Sequence, residues 1–134
     1  MGRKKARRIM SKDKEAVVTT LDGLVDYFDK RVDNLRDRLE FRCGEDVAVE
    51  AGRLEAAKDV AQHARYLTDD GFSLVEAFTL LVEHAVEGKN YAVKTMGLRV
   101  LTGGLTEFQK GSVLEYEWTA NKLSHLSLEA RRKR

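Results

Sequence analysis

Over 134 residues the chain carries no proline. Proline inside a helix removes a backbone donor and clashes with the preceding turn, so a chain without it can run long helices unbroken. The apolar residues take up that freedom. Val18, Leu21, Val25, Phe28, Val32, Leu35 and Leu39 alternate steps of three and four, the heptad pattern of a helix with one buried face. No segment shows the strict alternation of a half-buried strand. With 43% hydrophobic and 34% charged residues, each helix has enough apolar surface to bury one face and enough charge to solvate the other. The expected fold class is all-α: a compact antiparallel bundle of about five helices with a long N-terminal helix, all in one domain.

Caps and breaks place these helices at roughly 12–42, 47–67, 74–88, 91–102 and 107–131. Ser11 is the expected cap of the first helix and Gly44 its stop. Asp46 caps the second, whose face of Val47, Ala51, Leu54, Ala57, Ala61 and Ala64 is small enough for close approach by a neighbour. Ser73 and Glu76 form a capping box, with Phe72 placed to pack back over Ala77. Gly88 ends that helix, Asn90 caps the next, and Thr106 with Gln109 forms a second capping box after Gly103 and Gly104. The last helix is expected to bury Val113, Tyr116, Ala120, Leu123 and Ala130.

The first heptad stripe could serve a core or a zipper. Val17 and Leu24 widen it beyond a narrow seam, and a parallel homodimer would set Arg31 against Arg36 of its partner. A core helix is the primary reading. A homo-oligomer through helix one, antiparallel or in a larger bundle, is the secondary one.

Signals for catalysis are sparse, and the chain is expected not to be an enzyme and to need no cofactor or metal. His63, His84 and His125 fall on three different helices without ligand spacing. Glu55 with Asp59, and Glu83 with Glu87, each share a helix face, and a metal would require two such faces to converge. A helical hydrolase with clustered carboxylates is the enzymatic alternative. Cys43 is the only cysteine, so it forms no internal disulfide and reads as an incidental thiol of a reducing, cytoplasmic setting. Tyr116 and Trp118 could stack bases only if exposed among cations, and Glu115 and Glu117 flank them. A helix-turn-helix through Gly88, Lys89 and Asn90 would offer Lys94, Thr95 and Arg99 to a groove, but its first helix is too apolar for that task.

The arrangement of charge is the main functional signal. Of 24 basic residues, ten lie at 1–12 and 131–134, which leaves 14 against 22 acids over residues 13–130, a net of −8. The chain therefore divides into a basic segment at 1–11, a helical bundle at 12–130 and a basic tail at 131–134. Arg3, Lys4, Lys5, Arg7, Arg8, Arg131, Arg132, Lys133 and Arg134 are the candidate nucleic-acid-binding residues, because each can neutralise a phosphate and release a counterion. The expected function is that of a small structural or accessory subunit of a nucleoprotein assembly, holding DNA or RNA backbone without reading sequence. Its body would face other protein subunits. A protein-interaction module docking through a helical face, without nucleic acid, is the alternative. Localisation signals, solubilising tails and anionic surfaces are the other uses of such clusters. No apolar run approaches the roughly 20 residues needed to span a bilayer, so no membrane partner is expected.

Overall fold

The structure, a computed structural model, describes residues 18–41, 45–102 and 106–132. Within these helices the side chains at 45–46, 96–102, 106 and 131–132 lie outside the description. Among the described residues there are four helices: α1 (Leu21–Leu39), α2 (Glu45–Asp69), α3 (Leu74–Thr102) and α4 (Thr106–Arg132). There is no strand among the described residues.

The all-α bundle holds, with four helices in place of about five. The expected third and fourth helices are one. Gly88 and Asn90 lie inside α3, which runs unbroken for 29 residues. The same continuity removes the helix-turn-helix, since no turn separates its two halves. Nor is the first described helix long. Val18 and Thr19 are not helical, and Thr20 is the N-cap of α1, extended at φ −137° and accepting from the Gly23 amide at 2.9 Å. At 19 residues α1 is the shortest of the four. Its expected cap, Ser11, and its stop, Gly44, fall outside the described residues.

The capping box that opens α3 forms as expected. The Ser73 amide donates to Glu76 Oε1 at 2.9 Å, and the Glu76 amide donates to Ser73 Oγ at 3.2 Å. Phe72 packs half-buried against the core cluster to which Ala77 belongs. The turn before it uses Gly71 at φ +84°, a left-handed position where glycine carries no Cβ penalty. At α4 the Gln109 side-chain amide donates to Thr95 Oγ1 on α3 at 2.9 Å, and the Thr106 side chain, the other half of the expected box, lies outside the described residues.

Polar ties fix the directions of the helices. Asp29 pairs with Arg65 and Arg38 with Glu50, so α1 and α2 are antiparallel. Lys89 meets Glu117 and Thr95 meets Gln109, so α3 and α4 are antiparallel. Ser112 meets Gly52 and Tyr116 meets Asp59, so α2 and α4 run parallel. The α2–α4 pair is the spine, with α1 packed on α2 and α3 packed mainly on α4. One apolar cluster fills the interior. It takes Leu24, Phe28, Val32 and Leu35 from α1, Val60 and Ala64 from α2, Phe78 and Leu81 from α3, and Leu123 and Leu126 from α4. The heptad face of the first helix is thus covered by the chain itself.

The spine is close at one crossing. A methyl group on Gly52 would overlap the carbonyl oxygen of Phe108, and one on Gly111 would overlap the carbonyl oxygen of Val49. The near approach expected on the alanine face of α2 occurs at this pair of glycines, and Val47 of that expected face is exposed. The buried stripe of α4 also differs from expectation. It runs Gly111, Glu115, Thr119, Leu123, Leu126 and Ala130, while Val113, Tyr116 and Ala120 sit half-buried at its flank.

Candidate functional site

Two polar constellations hold the helices together, and neither is visible in the linear sequence. The first is centred on Glu115, whose side chain is 0% exposed. Arg31 on α1 donates to it through Nε and a terminal nitrogen, both at 2.8 Å, and Arg53 on α2 donates through Nε at 3.1 Å. The Arg31 guanidinium also lies 3.8 Å over the Trp118 ring, and Lys122 sits 5.7 Å from the same ring. A buried carboxylate needs such partners, since an unpaired one would remain unsolvated. Glu115 therefore faces inward and does not screen Trp118. The ring is half-buried with cations on it, and its stacking face is taken by Arg31.

The second constellation joins α2, α3 and α4. His84 Nε2 lies 2.7 Å from Asp59 Oδ2, and the Tyr116 hydroxyl donates to the same oxygen at 2.6 Å. His63 stacks on His84 with ring centroids 4.0 Å apart and planes 6° from parallel. The hydrogen bond to His84 holds the Asp59 carboxyl below the usual range. The same bond holds His84 above its ordinary value. Burial and the neighbouring His84 push His63 down. Burial and Asp59 push the Tyr116 hydroxyl up. Of the two imidazoles, the bond to Asp59 favours a proton on His84 over His63.

Several of the other acids are held in ion pairs. Glu50 meets Arg38 and Glu55 meets Lys58. Among the described residues no group of three or more His, Cys, Asp or Glu side chains is arranged to hold a metal ion. An open groove between α1 and α2 is lined by Asp22, Asp26, Asp29, Asp69 and Arg65.

The residues singled out for nucleic-acid contact fall at the margins. Arg3, Lys4, Lys5, Arg7, Arg8, Lys133 and Arg134 lie outside the described residues. Arg131 and Arg132 form the last helical residues of α4, with side chains outside the description. What the fold does define is where the described chain begins and ends. Because α1 runs antiparallel to α2 and α2 parallel to α4, the start of α1 and the end of α4 share one end of the bundle. The acidic groove is at that end too, since it is lined by the first turns of α1 and the last turn of α2. No helix among the described residues is long and apolar enough to cross a membrane. Comparison with protein-family models, curated proteins and solved structures finds no match for this chain.

Proposed function

We propose that the protein is a non-enzymatic helical subunit of a nucleoprotein assembly, with cationic ends on the phosphate backbone of DNA or RNA and an acidic body facing other proteins. What supports this reading is the shared exit of the two basic clusters. An odd number of antiparallel helices would send them to opposite poles. With four helices, residue 18 and Arg132 lie at one pole, so clusters separated by the whole sequence can bear on one stretch of polymer. Linking two weak phosphate-binding segments raises their joint affinity through effective concentration. Arginine dominates both clusters, and its planar fork suits phosphate oxygens. The −8 body repels the same polymer, which restricts contact to that pole.

The test is fluorescence anisotropy of a labelled random-sequence duplex, and of a single strand, across a salt series. With roughly five to ten phosphates engaged, affinity is expected to fall by several powers of ten between low and moderate salt. Changing Arg3, Lys4, Lys5, Arg7, Arg8, Arg131, Arg132, Lys133 and Arg134 to Gln should abolish that slope and leave the melting temperature unchanged. No binding in dilute buffer, or an unaltered slope in the variant, would overturn the reading.

A further inference from the structure

One face of α3 is only partly covered by the chain, Val82 alone of its valines packing against the core cluster. On α3, Val75, Val86 and Val93 are exposed at 48%, 43% and 44%, and Val82 between them is half-buried. At 100° per residue these four valines fall within an arc of roughly 40°, about 120° away from the buried line of Ala77, Leu81, Ala85 and Ala92. Their spacings are seven, four and seven. That order reads the same in both directions.

A palindromic stripe on a helix is complementary to its own antiparallel copy. We infer that this face of α3 is an isologous self-association surface, whose occupant is a second copy of this chain with its α3 reversed about a two-fold axis beside His84. In that register Val75 meets Val93 of the second copy and Val82 meets Val86, each contact occurring twice. This is the a-to-d pairing of antiparallel helices.

Charge supports the same register. The flank of the stripe carries Glu76 at its start and Lys94 at its end, and reversal brings each Glu76 beside a Lys94 of the other copy. The gaps in the stripe are filled by Thr79 and Lys89, which come to the same level on reversal, Lys89 being already paired with Glu117 of α4. Glu83 opposes the pairing, since the two copies of this exposed acid face one another across the axis. Reversal would also set the basic ends of the two copies at opposite poles, roughly 40 Å apart for a helix of this length. That last consequence rests on the nucleic-acid reading, whereas the pairing itself does not.

The test uses the full chain with Cys43→Ser and one new cysteine, Val75→Cys in one preparation and Val93→Cys in another. Oxidised alone, neither should form a covalent dimer, because like positions lie some 27 Å apart along the axis. Mixed, they should give the covalent dimer in high yield. Sedimentation of the unmodified chain should show a concentration-dependent rise toward twice the chain mass. Val86→Lys should remove that rise, and Glu83→Gln should strengthen it several-fold. A mixture that does not cross-link, or cross-linking by Val75→Cys alone, would overturn the inference.

Discussion

Glu115 shows how a single residue can redirect a helix. Its carboxylate is wholly buried and receives three hydrogen bonds from Arg31 and Arg53. Removing it strands two cations in the interior, so Glu115→Ala is expected to lower stability by about 3–5 kcal/mol in urea unfolding. Thr119, one turn further along, is 1% exposed, and its hydroxyl oxygen has no hydrogen-bond partner among the described residues. Thr119→Val should therefore raise stability by about 1 kcal/mol in the same measurement. Neither residue was legible as core in the sequence. A charge reads as exposed until its partners are known, and here they stand 84 and 62 positions away. The apolar anchors Phe28, Val32, Leu35 and Leu123 were legible, because burial of such side chains follows from periodicity alone.

At the scale of elements, glycines misled the sequence reading. Gly88 looked like a stop, yet a methyl group there would stand 2.7 Å from the Tyr116 ring, so its smallness admits that ring against an unbroken α3. Gly52 and Gly111 serve the spine in the same way. Replacing glycine by alanine normally stabilises a helix by about 1 kcal/mol. At Gly52 the sign should reverse, with a loss of about 2–3 kcal/mol in thermal or urea unfolding, because two backbones would have to separate. The signal was present in the sequence as two mid-helix glycines of no evident use, but only the crossing shows that they face each other.

The histidine cluster ties α2, α3 and α4 through protons. Because His84 is held above its ordinary value, its stabilisation is complete below pH 6.5 and fades as pH rises through the raised value. His63 acts oppositely. Its depressed value means that protonation below pH 6.5 opposes folding. Asp59 contributes above 3.8 and loses that contribution as pH falls through its lowered value. In an NMR titration the His84 ring should protonate at higher pH than His63, the pair titrating in two coupled steps. Asp59→Asn should shift the His84 titration to lower pH. Equal midpoints for the two rings would contradict the stacked geometry.

At the scale of the whole molecule, helix count decides what the charged ends can do. The all-α bundle was legible because proline is absent and apolar spacing is helical. Five antiparallel helices would send the two ends to opposite poles and four bring them to one, a difference that turns on Gly88 and Asn90, local breakers that weigh heavily in a sequence while long packing contacts do not appear in it. The acidic groove of Asp22, Asp26, Asp29 and Asp69 beside the shared pole should compete with phosphate for the basic clusters. Asp22→Asn with Asp26→Asn is therefore expected to tighten nucleic-acid binding at low salt in the anisotropy assay, and a weakening would contradict that competition.

The shared pole itself can be measured as a distance between spin labels on Thr19→Cys and Leu128→Cys in a Cys43→Ser background, two exposed positions flanking the exits. Antiparallel α1 and α4 should place the labels within roughly 25 Å of each other, whereas exits at opposite poles would separate them by the helix length, roughly 40 Å.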